Sequence, residues 1–197
     1  IIDVSDPNAP FEVGFLEGVG GDIAVVGEFA YLASGLKVIN VSDPAAPFEL
    51  GTLATPGPSR GLDVVDGLAY VADGPSGVRI IDLSDPTRPV AMGELDTPGR
   101  VADAEVFGDF AYVADAGSGL RIVNVSDPSI PIEVGAFETR GQTYDVDVVD
   151  GRAYLTDGWP APALWVLDVR EPSRPTELGV LRMTEAGVDV EGDRKST

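Results

Sequence analysis

The chain has 197 residues, enough for one all-β unit with a core of its own. It carries 33 acidic and 13 basic residues, a formal net charge of −20, which excludes nucleic acid and an anionic membrane surface as natural partners, because both require a basic face. Cys and His are both absent, which removes disulfides, thiolate chemistry, the usual zinc ligands and the Ser-His-Asp arrangement.

In chain order, the sequence opens inside a phrase that returns four times. It reads IIDVSDPNAPFEVG from Ile1, LKVINVSDPAAPFELG from Leu36, VRIIDLSDPTRPVAMG from Val78, LRIVNVSDPSIPIEVG from Leu120 and LWVLDVREPSRPTELG from Leu164. The acid–Pro steps at Asp6, Asp43, Asp85, Asp127 and Glu171 lie 37 to 44 residues apart. A repeat of that length built from short strands predicts a propeller or an array, not one mixed domain. Opening inside a repeat predicts that the natural chain is longer and that any signal precedes Ile1. No run reaches the ~18 to 20 apolar residues of a membrane helix, and no segment has a helical period.

Each repeat resolves into four strands. Asp103 to Phe107 alternates polar and apolar, Gly108-Asp109 turns the chain, and Phe110 to Ala114 returns. Leu120 to Val125 follows a loop. A Ser-Asp-Pro turn then leads into a strand opened by Pro131. The inner hairpin turns read Gly27-Glu28, Asp66-Gly67, Gly108-Asp109, Asp150-Gly151 and Gly192-Asp193. Asp-Gly suits a type I′ turn and Gly-X a type II′ turn. At the Asp-Pro steps the Asp caps an Asx turn and Pro fixes φ. A second Pro heads each fourth strand, which marks it as the outer edge. Gly14, Gly51, Gly93, Gly135 and Gly179 read as bulges in that strand.

The fold expectation is therefore all-β: a β-propeller of four-stranded antiparallel blades, one domain over 1–197. Its parts are 1–16, 21–53, 61–95, 101–137, 143–182 and 187–197. The two end pieces either complete a fifth blade and close a ring, or the chain is an arc of a larger ring.

The LRIVNVSDP-like opening and the FAYVAD-like strand, repeated in register, resemble the LVIVD-repeat family. The resemblance implies a β-propeller, usually from bacterial or archaeal proteins of the cell surface or secreted fraction, with no established activity and no catalytic residues to carry over. The sequence departs from the pattern at Arg170-Glu171-Pro172, in the loop from Asp157 to Ala163, at Ser34-Gly35 and at the C-terminal end.

Two constellations are candidates for chemistry. The inner strands carry Asp22, Asp63, Asp103, Glu105, Asp145 and Asp147, with Asp189 in the last partial repeat. Period two places them on one face. They either gather near the central channel, where Asp63, Asp103, Glu105, Asp145, Asp147 and Asp189 would hold a hard cation such as Ca²⁺ weakly, or bond backbone N–H groups of the neighbouring blade. No other cofactor is expected. On the loop face, Arg60, Arg100 and Arg140 sit in connections from fourth to first strands, joined by Gln142 and Tyr144, while Trp159 sits in the longest second-to-third loop. The arginines either receive carboxylate or phosphate groups or balance neighbouring Asp residues. Trp159 is either a contact residue or a cover for the next blade.

The resemblance, together with the absence of His and Cys, implies a non-enzymatic, extracellular or cell-surface module, expected as a monomer, and the variation of the loops between repeats points to a protein or carbohydrate partner on the loop face. The alternative is a propeller hydrolase or lyase working through channel carboxylates.

Overall fold

The structure is a computed structural model that describes residues 1–17, 21–184 and 187–192, with Thr184 and residues 187–192 described by their backbone. Every regular element among the described residues is a strand. The first Asp-Pro phrase forms a two-stranded half-blade, β1 (Ile2–Asp3) and β2 (Phe11–Glu12). Four antiparallel meanders follow. The first blade is β3 (Ile23–Val26), β4 (Phe29–Leu32), β5 (Leu36–Asn40) and β6 (Phe48–Leu53); the second is β7 (Leu62–Val65), β8 (Leu68–Ala72), β9 (Val78–Asp82) and β10 (Val90–Leu95). The third is β11 (Asp103–Phe107), β12 (Phe110–Ala114), β13 (Leu120–Asn124) and β14 (Ile132–Phe137); the fourth is β15 (Thr143–Val149), β16 (Arg152–Asp157), β17 (Ala163–Asp168) and β18 (Thr176–Thr184).

The turns follow the chemistry of their residues. Asp66 and Gly67, and likewise Asp150 and Gly151, both have positive φ, as a type I′ turn requires. At Gly27-Glu28 and Gly108-Asp109 only the glycine does, as in type II′. Each Asp-Pro step closes an Asx turn: Asp6, Asp43, Asp85 and Asp127 accept the N–H two residues on at 3.0 Å. A second set of such turns ends the third strands, where Asp3, Asn40, Asp82, Asn124 and Asp168 cap the N–H of residue i+2.

The outer-strand glycines do more than kink the strand. The register shifts at or next to them. A Cβ on Gly14, Gly51, Gly93 or Gly135 would also lie 2.0 to 2.4 Å from the carbonyl oxygen of the next blade's turn proline: Pro44, Pro86, Pro128 or Pro172. The glycine lets consecutive blades touch backbone to backbone.

The core lies between blades. Tyr31, Leu36 and Val38 of the first blade pack on Leu62, Val71 and Ile81 of the second. The same layer recurs between the second and third blades and between the third and fourth, where Tyr112, Leu120 and Ile122 meet Val146, Val148 and Leu155. The inner strands β3, β7, β11 and β15 run side by side as neighbours.

The C-terminal strand departs from expectation. β19 (Gly187–Gly192) does not begin a new blade or join the half-blade; it pairs antiparallel with β18 as a fifth, outermost strand. The described chain is accordingly an open, propeller-like arc, not a closed ring. Two features account for this placement. β18 runs nine residues where β6, β10 and β14 run six, so it offers a long edge. The connections that lead to each inner strand also use a Thr-x-Gly turn (Thr55 and Gly57, Thr97 and Gly99, Thr139 and Gly141), whereas the corresponding positions, 42 residues beyond the last of these, hold Leu181 and Met183. Asp189 lies in register with Arg182 on this outer edge, away from the inner-strand acids it was expected to join. Asp193 of the expected Gly192-Asp193 turn, with the rest of 193–197, lies outside the described residues.

Candidate binding cleft on the loop face

The inner-strand acids act first as clips between blades. Asp22 accepts the Leu62 N–H at 3.2 Å, Asp63 that of Val106 at 2.9 Å, Asp103 that of Val146 at 3.2 Å and Glu105 that of Val148 at 2.6 Å. Each donor lies on the inner strand of the following blade. For these four acids the bonding to a neighbouring blade's backbone is present; Asp145 and Asp147 make no such bond among the described residues. Among the described residues no group of three or more acids is arranged to hold a metal ion. Two of these acids are raised above the ordinary carboxylate range, mainly by burial. Burial pushes Asp103 up to about 6 against the opposing effect of the Val146 N–H, and the Asp145 charge adds to the rise. Burial likewise pushes Glu105 up to about 7, opposed by the Val148 N–H and reinforced by Asp147 and Asp63.

A second set of carboxylates builds the loops and was not foreseen. Asp73, Asp115 and Asp157, each three residues after the second-strand Tyr, are buried. Asp73 accepts the hydroxyls of Thr55 and Ser59 and the Gly57 N–H, and Asp115 accepts the Thr97 hydroxyl and the Gly99 N–H. Asp157 takes the Gly141 N–H, the Thr143 hydroxyl and the Trp165 indole N–H. The signal was present: each Asp follows the Gly of a Thr-x-Gly step by 16 residues. Lys37, Arg79 and Arg121 occupy one third-strand position and pair with Glu49, Glu94 and Glu133 of the outer strands. Arg79 and Arg121 also place Nε 3.9 Å from Asp73 and Asp115. In the fourth blade Trp165 takes that position, and its indole replaces the guanidinium as partner of the buried Asp.

These anchored connections shape a cleft. Arg60, Ala102 and Tyr144 are equivalent residues at the start of successive inner strands or just before them, each ten before the second-strand Tyr of its blade. The small Ala102 between two long side chains leaves a depression. One lobe, about 460 Å³, is lined by Asp22, Arg60, Ala102, Asp103, Tyr144 and Asp145 among others. An adjoining lobe, about 190 Å³, is lined by Arg60, Arg100, Ala102, Gln142 and Tyr144 with Val101 and Ala116. Four of the six loop-face candidates therefore converge. Arg140 and Trp159 line neither lobe. Trp159 is 80 % exposed, so it is not a cover for a blade. The Tyr144 ring rests against Gly158, where a Cβ would come within 2.4 Å of it. Among the described residues Arg60, Arg100 and Arg140 form no contact ion pair, and all three are exposed.

The LVIVD repeat matches the sequence five times, over residues 1–16, 17–55, 56–97, 98–139 and 140–182. The chain belongs to the LVIVD-repeat family. No curated protein matches it in sequence. Among solved structures it is similar to the computationally designed Ika8 protein, with a TM-score of 0.64 at 9 % identity over 87 % of this chain and 57 % of that one. That likeness bears on the fold alone, and this chain spans less than two thirds of the design's length.

In this LVIVD-repeat arc the Asp-Pro turns lie at the end of each blade opposite the connections that border the cleft. The depression is lined by repeated inner-strand acids, Asp22, Asp103 and Asp145, together with the varying residues Arg60, Ala102 and Tyr144. Its chemistry is mixed: two unpaired guanidinium groups and a Gln amide offer donors for a planar oxyanion, the exposed Tyr144 ring offers a flat apolar wall, and Asp22, Asp103 and Asp145 offer acceptors beside them.

Proposed function

We propose that the chain is a non-enzymatic binding module of the cell surface or secreted fraction, and that its loop face holds an acidic group of a protein or carbohydrate partner over Ala102. The observation that carries this reading is the pair Arg60 and Arg100. In a protein of net charge −20, two exposed guanidinium groups without an ion pair among the described residues border one cleft. Arginine's fork matches carboxylate or phosphate in two parallel bonds. Tyr144 supplies stacking area at small entropic cost, as aromatic contact residues do. The LVIVD-repeat family supports the location, and one copy of the chain suffices to form the cleft. The test is an array of acidic and neutral oligosaccharides and acidic peptides. Binding of acidic probes should weaken at least about 10-fold in Arg60→Ala with Arg100→Ala, the loss of about 1.4 kcal/mol. Retention of binding in that variant, or capture of neutral probes alone, rejects the proposal.

A second reading rests on the same wall. Asp103, pushed up to about 6 chiefly by burial, lies beside Asp145 in the wall of the cleft, and a pair of carboxyl groups is the equipment of glycoside hydrolysis. Turnover on a glycoside panel that Asp145→Asn abolishes would establish it in place of the binding module.

A further inference from the structure

The last blade carries an unused copy of the interface that joins the others. In the first three blades the second-strand Tyr and the facing third-strand residues are buried by the blade that follows: Tyr112 is 3 % exposed, and Leu120 and Ile122 are 0 % exposed. Their equivalents in the fourth blade, Tyr154, Leu164 and Val166, are each only half-buried. The carboxylates show the same vacancy. Each inner-strand acid that has a following blade bonds an N–H on it, and for Asp63, Asp103 and Glu105 the donor lies 43 residues ahead. Among the described residues no backbone N–H reaches Asp145 or Asp147.

Adding 43 to those two positions gives Val188 and Val190. Both lie in β19, within the run Gly187-Val-Asp-Val, which matches the inner-strand run Gly61-Leu-Asp-Val. Their counterparts Val146 and Val148 are each 4 % exposed, packed in the layer with Tyr112 and Ile122. One segment would therefore supply both missing parts, an apolar residue over Tyr154 and Val166 and a backbone N–H toward each of the two carboxylates.

We infer that the exposed face of the fourth blade is a docking surface for residues 187–192 of the same chain, and that β19 exchanges between two positions, the outer edge of β18 and an inner strand against β15. The argument for this occupant is continuity: the interface is already built three times in the chain, and the fixed offset selects the segment. The two positions exclude each other, since one strand cannot pair with β18 and lie beside β15 at the opposite end of the sheet.

The chain has no native Cys, so nitroxide labels at Val149→Cys and Gly192→Cys report the exchange by dipolar electron paramagnetic resonance. On the outer edge β19 is four strand spacings from β15, about 19 Å; docked inside, the labelled strands lie about 10 Å apart. The expected result is two distance components. The short one should be lost in Asp145→Ala with Asp147→Ala and retained in Asp145→Asn with Asp147→Asn, which keeps an acceptor oxygen. Trp165 emission checks that both variants keep the fourth blade folded. A single long distance in every variant overturns the inference. A short component that vanishes on dilution with unlabelled chain overturns it too, by assigning the surface to a second copy.

Discussion

Asp and Glu side chains do different jobs by position within the blade, and three of these are hydrogen-bonding roles. At the Asp-Pro turns they cap local N–H groups in water; at the end of the second strand they are buried under a loop; on the inner strand they cross to the next blade. The last set makes stability depend on pH. Asp103 and Glu105 have folded pKa values of about 6 and about 7, above their ordinary 3.8 and 4.5. A carboxyl raised on folding contributes stability that is complete below its unfolded pKa and lost as pH rises through its folded one. The urea midpoint should therefore fall between about pH 4 and pH 7, and fall less steeply in Asp103→Asn with Glu105→Gln; equal pH slopes in the two proteins would contradict this. The buried set predicts a different outcome. Asp115→Ala leaves the Thr97 hydroxyl and the Gly99 N–H without their acceptor, a loss of about 1–3 kcal/mol for each orphaned donor. Urea unfolding measures it, and a loss under about 0.5 kcal/mol would show that the loop is held some other way. The inner acids were visible in the sequence because period two places them on one face. Asp73, Asp115 and Asp157 were not recognised as anchors, because their partners lie 8 to 18 residues away and only the fold joins them.

The hairpins were the most legible elements. Asp-Gly and Gly-X restrict φ locally, and φ at Asp66, Gly67, Gly108 and Gly151 follows from that restriction alone. The outer-strand glycines were legible as bulges, but their contact with the next blade was not, because close approach between blades leaves no local signature. It yields a prediction at this scale. Gly135→Ala would drive a Cβ to 2.0 Å from the Pro172 carbonyl oxygen, so the blades must part, at about 1–3 kcal/mol for such overpacking. Gly108→Ala meets nothing within 4 Å but sits at φ 61°, so its smaller cost is conformational and leaves the interface intact. Calorimetry on both variants separates the causes; equal destabilisation would mean that the blade contact is unimportant. β19 was misplaced for a related reason. Its sequence matches an inner strand, and what overrides the match is the missing Thr-x-Gly turn together with the extended edge of β18.

For the whole molecule, the repeat explains the scaffold and the differences among repeats explain the cleft. Equivalent positions hold Arg60, Ala102 and Tyr144, and no single copy contains the site. The loop-face residues were legible as a set, whereas their separation into Arg60, Arg100, Gln142 and Tyr144 on one side and Arg140 and Trp159 elsewhere required the fold. Because Asp22, Asp63, Asp103 and Glu105 spend oxygens on N–H groups of the next blade, melting temperatures in EDTA and in millimolar Ca²⁺ at matched ionic strength should coincide; a Ca²⁺-specific rise lost in Asp103→Asn with Asp145→Asn would restore a cation to the channel. The central claim is that acidic groups bind over Ala102, and titration of ¹⁵N-labelled protein with acidic oligosaccharides and acidic peptides tests it most directly. The account predicts amide shifts confined to Arg60, Ala102, Tyr144 and their neighbours, lost in Arg60→Ala with Arg100→Ala and lost again when Ala102→Leu fills the depression. Shifts centred on Trp159, or shifts that survive both variants, would contradict it.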